Sequence, residues 1–252
     1  MSLPTFFAPS ATLRSGASIV IDGEEYHHLR VRRLRVGDNV RVIDGKGTEL
    51  LGVLQRVGPR EAEIRIVQAL SGQSESPLDI TLAVAPVREE RMTYALEKAT
   101  ELGASRIVVF GSKRGRAYDQ QRRLERWKRI VLEATKQCQR SRVPTLVSVP
   151  SVEALLPLER PSLGLVLHPS ATMPDGEKGL PWSVPKPAGV TVVIGPEGGF
   201  APDELRVLET GGFLPVRLGP RVLRTETAVV AALTLVQFLW GDLRQTATAE
   251  VV

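Results

Sequence analysis

Apolar and polar positions alternate along Ala62-Glu63-Ile64-Arg65-Ile66-Val67, the period-two pattern of a strand with one buried face. Two further apolar runs, residues 39–43 and 49–54, precede it behind Gly-rich or Gly-Pro turns. Residues 1–72 are therefore predicted to form a small β-barrel. His27-His28-Leu29-Arg30-Val31 is predicted to open a helical or irregular segment beside it. Ser71-Gly72-Gln73-Ser74-Glu75-Ser76-Pro77 has linker composition and marks the boundary of a second domain, residues 73–245.

Beyond the linker the pattern alternates strand with helix. Strands are predicted at 79–85, 106–110, 146–149, 163–168, 190–194 and 214–218. A helix over 88–102 places Met92, Ala95, Leu96, Ala99 and Leu102 on one face, with Gly103 positioned to end it. A longer helix over 120–139 aligns Leu124, Trp127, Val131, Ala134 and Cys138, which leaves its cations mainly on the opposite face. Residues 169–188, rich in Pro and Gly, read as a long loop, and such loops are often functional. Another helix starts near Pro202-Asp203-Glu204, with proline early and acids in its first turn. The last helix, 226–240, carries Val229, Leu233, Val236 and Trp240 on one stripe and more apolar groups off it. A helix apolar nearly all round is buried, in a core or in a subunit interface. Alternating strands and helices predict an α/β domain with a mostly parallel sheet flanked by helices.

Charge sharpens this picture. The chain has 252 residues and a formal net charge of +5. Residues 111–143 hold eleven Lys or Arg against three Asp or Glu, a net of +8, so the remainder nets −3. Arg30, Arg32, Arg33 and Arg35 form a second cluster. Charge runs are usually solvated helix faces, but two clusters this dense favour a phosphate backbone as partner. The candidate nucleic-acid contacts are Arg30, Arg32 and Arg33, then Arg122, Arg123, Arg126 and Arg129, then Arg140 and Arg142. Three histidines and the single Cys138 offer no spacing for a metal site, and an internal disulfide is excluded. The apolar run 228–240 is too short to span a bilayer, and the N-terminus lacks a secretory pattern. A cytoplasmic protein is expected.

Two stretches carry candidate chemistry. Val192-Val193-Ile194-Gly195-Pro196-Glu197-Gly198-Gly199-Phe200 and Leu218-Gly219-Pro220-Arg221-Val222-Leu223-Arg224-Thr225-Glu226-Thr227-Ala228 each lead from an apolar run through a Gly-Pro turn toward a helix. Glycine lets backbone approach a ligand closely, and in an open α/β sheet ligands bind at the carboxyl ends of strands. Neither turn matches a dinucleotide or P-loop motif. Alone, Gly-Pro-Glu-Gly-Gly is a strand-to-helix turn. The pair together resembles the SPOUT class of methyltransferases, and within it the RsmE-type ribosomal RNA uridine N3-methyltransferases.

The resemblance covers nearly the whole chain. His27-His28-Leu29-Arg30 and residues 35–38 look like the family's N-terminal PUA-like RNA-binding domain. Lys98-Ala99-Thr100-Glu101-Leu102-Gly103 and Gln137-Cys138-Gln139-Arg140-Ser141-Arg142-Val143-Pro144 look like signature segments of its catalytic domain. It implies a SPOUT-type trefoil knot at the C-terminal end, a homodimer, and S-adenosylmethionine as cofactor. It places that cofactor against Leu167, His168 and Pro169, against Ile194, Gly195, Pro196, Glu197, Gly198 and Gly199, and against Leu218, Gly219, Val222, Leu223 and Thr225. Lys136 stands where the family commonly has an acid, and Ala201 where it often has serine or threonine.

The implied reaction is methylation of N3 of a uridine in 16S ribosomal RNA of the small subunit or its assembly intermediate. N3 carries a proton at neutral pH, so the enzyme needs a base or a cation that stabilises the uracil anion. Arg224, then Arg221 and Glu197, are the candidate catalytic groups, although Glu197 could equally ion-pair with an arginine and Glu226 simply favour its helix N-terminus. Alternatives are a SPOUT enzyme acting on another RNA position or on ribose, and an RNA-binding assembly factor that has lost turnover.

Overall fold

The computed structural model describes residues 3–9, 14–71, 74–115, 120–158, 162–169 and 185–244. The chain divides into two compact units, one of Met1–Glu75 with Thr135–Val143, the other of Ser76–Ala134 with Pro144–Val252.

The first unit is built on a five-stranded sheet in the order β1-β3-β4-β5-β2. Its strands are β1 (Thr5–Phe7), β2 (Ser18–Ile21), β3 (Asn39–Ile43), β4 (Glu49–Val57) and β5 (Ala62–Ala69). Only β1 and β3 run parallel. With β1 and β2 as edges, the predicted barrel takes the form of a half-barrel. The predicted helical segment is α1 (Gly23–Val31). Its Leu29 packs with Phe6, Ile19, Val40, Leu54 and Ile64 in one apolar core, and the His28 ring meets Phe6 edge-on at 5.6 Å.

Residues 135–143 complete this unit. Buried Lys136 donates to Glu25 (2.8 Å), so the lysine that departs from the family's acid serves as an ion-pair partner. Arg140 donates to one Glu75 oxygen through Nε (3.1 Å) and Nη2 (2.8 Å). The other Glu75 oxygen accepts the N–H groups of Ser141 and Arg142, both at 2.9 Å. The buried Arg41 guanidinium donates to Glu49 and to the Arg140 carbonyl.

The second unit holds a six-stranded sheet, entirely parallel, in the order β11-β9-β10-β6-β7-β8. The strands are β6 (Asp79–Val84), β7 (Arg106–Phe110), β8 (Thr145–Val149), β9 (Leu163–Leu167), β10 (Gly189–Ile194) and β11 (Phe213–Val216). Unbroken burial along β6 and β10 is what a parallel sheet covered on both faces requires. Pro215 lies on the edge strand β11, which pairs only with β9, where a missing N–H is tolerated. That strand ends at Val216, two residues before its predicted end.

The helices are α2 (Glu89–Glu101), α3 (Gln120–Gln137), α4 (Pro202–Thr210) and α5 (Thr225–Trp240). α5 packs on α2 and β10, and α4 on β11. Val229 and Leu233 are fully buried within the protomer. Gln237, a polar break in the apolar run, is buried as a tie: its amide donates to the Leu102 carbonyl (2.8 Å) and accepts from Ser76 Oγ (2.9 Å). The expected trefoil knot involves the C-terminal end of the chain, and residues 170–184, most of the predicted long loop, lie outside the described residues.

Candidate cofactor cleft

Three adjacent parallel strands end together. Leu167 of β9 is in register with Ile194 of β10 on one side and Val216 of β11 on the other. At this carboxyl edge lies a cleft open to solvent. Leu167, Ile194, Val216, Leu218, Leu223 and Ala228 give it apolar walls, and Glu197, Arg217 and Arg221 bring charge to its lining.

The first turn is shaped by packing. A Cβ on Gly195 would lie 2.9 Å from the Phe200 ring, and that ring is held by stacking on Phe110 at 6.2 Å. Only glycine fits there. The Gly199 N–H donates to the Pro196 carbonyl (2.9 Å), with Gly199 at φ +69°. Ala201 offers no side-chain cap to α4. Buried Glu204 acts in its place, accepting the N–H of Ala201 (2.8 Å), the N–H of Lys113 (2.8 Å) and Ser112 Oγ (3.2 Å). The loop after β7 is thereby tied to the start of α4. A hydrogen bond between Lys113 and Asp203 raises the ammonium above its ordinary pKa and lowers the carboxyl. This exposed pair contributes little stability.

The second turn is braced from within and from the first. Arg217 donates through Nε to the Gly219 carbonyl (2.8 Å) and through Nη2 to that of Pro220 (3.2 Å). Buried Thr225 Oγ1 donates to the Gly195 carbonyl (3.2 Å), linking the two turns directly. Arg91 of α2 donates to Glu197 and lies 3.6 Å from Glu226, so one cation joins the two carboxylates of the two turns.

Most of the expected cofactor contacts line the cleft: Leu167, His168, Pro169, Ile194, Gly195, Pro196, Glu197, Gly199, Leu218, Val222, Leu223 and Thr225. Gly198 and Gly219 do not. Gly198 backs onto Arg114, with room for a Cβ only 3.3 Å from its backbone oxygen. Among the candidate catalytic groups, Arg221 and Glu197 line the cleft, whereas Arg224 is the exposed N-cap residue of α5 and stands outside the lining. Phe200, Val216, Arg217 and Ala228 also line it; reading the turns only as glycine motifs missed them. Arg91 lies on α2, far away in sequence, and no local pattern marks it. No group of three His, Cys, Asp or Glu that could hold a metal occurs among the described residues.

The candidate RNA contacts differ in availability. Arg30, Arg32 and Arg33 are exposed in the first unit; Arg122, Arg126 and Arg129 are exposed on α3. Arg123 is half-buried and shares Glu89 with Arg126. Arg142 is exposed, but Arg140 is buried on Glu75, which removes it as a surface contact and makes it a structural anchor.

The parallel sheet with its cleft at the ends of three strands defines the class, an RNA methyltransferase: residues 74–237 match the RNA methyltransferase domain and residues 21–67 the RNA methyltransferase PUA domain. Ribosomal RNA small subunit methyltransferase E of Mycobacterium bovis is 35% identical over 237 residues, covering 89% of this chain and 88% of the relative. The Bacillus subtilis protein of the same name is 30% identical over 227 residues, covering 86% and 89%. The chain belongs to the ribosomal RNA small subunit methyltransferase E family. A crystal structure of the Neisseria gonorrhoeae member bound to S-adenosyl methionine superposes with a TM-score of 0.87 at 32% identity, covering 96% of this chain and all of that one.

Proposed function

We propose that this protein transfers the methyl group of S-adenosylmethionine to N3 of a uridine in the 16S ribosomal RNA of the small subunit. The observation that carries the reading is the cleft itself, where two glycine turns, bridged by Thr225 and Gly195, meet at the in-register ends of β9, β10 and β11. Its donor set fits that cofactor. Apolar walls suit an adenine face, backbone left bare at Gly195 and Gly199 allows close approach, and charged side chains at the lining suit an amino-acid tail. The Neisseria relative, bound to S-adenosyl methionine, supports the same reading.

When bound, the cofactor supplies a methyl already activated by its sulfonium, so alignment and removal of the N3 proton remain for the protein. Arg221 takes the role of anion stabiliser first, because it lines the cleft; Arg224, at the N-cap beside it, is the second candidate. Glu197 is neutralised by Arg91 and acts as a positioning group. The first unit, Met1–Glu75 with Thr135–Val143, binds the RNA, and the remainder, Ser76–Ala134 with the chain from Pro144 on, is the catalytic domain with its knot; the boundary expected at residues 72 and 73 thus leaves out the strip 135–143. A homodimer forms through the outer face of α5, where Phe238 is 49% exposed. Action on ribosomal RNA is consistent with a cytoplasmic protein.

Arg221→Ala should lower turnover about a hundredfold or more, the usual cost of losing one electrostatic partner of a developing anion, with cofactor affinity changed only a few-fold. Raising the pH should partly restore that variant, since more uracil is then deprotonated unaided. The readout is labelled methyl transfer into small-subunit ribosomal RNA, followed by nucleoside analysis. Arg224→Ala run in parallel assigns the role between the two arginines. A labelled product other than 3-methyluridine would sink the base assignment.

A further inference from the structure

The loop joining β3 to β4, residues 44–48, meets the segment 141–143 in an arrangement that folding alone does not favour. The Gly47 N–H donates to the Ser141 carbonyl (3.2 Å) and the Val143 N–H to the Gly45 carbonyl (2.9 Å). These bonds flank Lys46 and Arg142 and make them a directly opposed antiparallel pair. In such a non-hydrogen-bonded pair the Cα atoms lie about 4.5 Å apart and the side chains are at their closest, on one face. Like charges set opposite each other this way are destabilising. Both residues are exposed, and neither forms an ion pair with a carboxylate among the described residues.

The surroundings hold the two cations in place without neutralising them. Asp44 accepts the N–H groups of Lys46 (2.7 Å) and Thr48 (2.9 Å). Burial disfavours its charged form, but hydrogen bonds from the Thr48 hydroxyl and from the Lys46 and Thr48 N–H groups outweigh this and lower its pKa. Glu75 holds the other arm through the Arg142 N–H. Asp44 is thus used on backbone and the Thr48 hydroxyl, and Glu75 on backbone and the Arg140 guanidinium. The Arg142 guanidinium lies over Gly47, where a Cβ would come within 3.0 Å of its Nε and where φ is +113°; glycine alone leaves the guanidinium that seat.

We propose that Lys46 and Arg142 form a two-point clamp for one backbone phosphate of the RNA substrate. This rests on the reading of the protein as an RNA methyltransferase. The planar fork of arginine binds phosphate through two N–H groups, and lysine adds a point charge from beside it. Such a clamp positions the strand without reading its sequence.

The test uses the full chain and a transcript of small-subunit ribosomal RNA, with affinity measured across a series of salt concentrations. Each phosphate contact contributes about 0.7–0.9 to the slope of log affinity against log salt. Lys46→Ala and Arg142→Ala should each bind several-fold more weakly at low salt with a shallower slope. Lys46→Arg should keep the wild-type slope. Cofactor affinity by calorimetry should be unchanged in all of them, and Lys46→Ala should melt no lower than wild type, because a repulsion has been removed. Wild-type slopes in both alanine variants would overturn the clamp while leaving RNA binding standing. If the wild-type chain does not bind the transcript at all, the RNA reading itself falls, and the clamp with it.

Discussion

Replacing Arg91 with alanine would leave Glu197 and Glu226 facing each other without the cation that now joins them. Two carboxylates on adjoining turns then repel where the cofactor is expected to sit. Loss of a hydrogen-bonded charged partner typically costs about 1–3 kcal/mol, and the partial exposure of this network puts the expected value at the low end. Arg91→Ala should therefore weaken S-adenosylmethionine binding by roughly tenfold, and Glu197→Gln in the same chain should recover part of it, because one of the repelling charges is gone. A double-mutant cycle by calorimetry measures the coupling. Additive effects would mean that Arg91 and Glu197 act independently. At this scale the sequence was only partly legible. The two glycine turns pointed to the cleft as a pair, through the family resemblance that they carry. Arg91 escaped because its partners are distant in sequence and its type is common on helix surfaces; Glu204 was legible as an acid in the first turn of α4, but not as the acceptor of the Lys113 N–H and the Ser112 hydroxyl.

At the scale of elements, the final helix separates core from surface in a way its composition concealed. Its sequence is apolar nearly all round, so periodicity could not say which face turns inward. Val229 and Leu233 belong to the protomer's own core, and Phe238 is the large apolar residue left half exposed. Val229→Glu should consequently unfold the protein, since an unpaired carboxylate would enter an apolar interior. Phe238→Glu should leave a folded chain that sediments as a monomer. If Phe238→Glu sediments as wild type at micromolar concentration, the proposed dimer through this face is wrong. The predicted strands and helices fall close to the observed ones wherever an apolar period ran long enough, as in β5, β7 and α3. β1, with three residues, is too short to display a period. β2 is a four-residue edge whose alternation passes for part of a turn-rich segment. The parallel order β11-β9-β10 could not be read locally at all, because strand neighbours in a parallel sheet are set by crossovers and not by adjacency in sequence.

For the whole molecule, the assignment of residues 135–143 to the first unit has a consequence for how the chain comes into being. Glu25, Arg41 and Glu75 are all made within the first 75 residues, yet Lys136 and the Arg140 guanidinium and carbonyl that satisfy them come much later. At synthesis rates of about 5–20 residues per second, the gap between residues 75 and 143 lasts roughly 3–14 s. Through that interval the nascent half-barrel carries Glu25 and Glu75 without their cations, while Arg41 keeps Glu49 but lacks the Arg140 carbonyl. A fragment of residues 1–75 should accordingly be loosely folded, and fusing residues 135–143 to it through a short flexible linker should restore a cooperative melt. A fragment that already melts cooperatively at the temperature of the fusion would show that the late segment is dispensable. Otherwise the N-terminal unit must wait on the ribosome for a strip of chain that is translated with the catalytic half, and a protein of this family then depends for its own maturation on uninterrupted elongation by the machine it modifies.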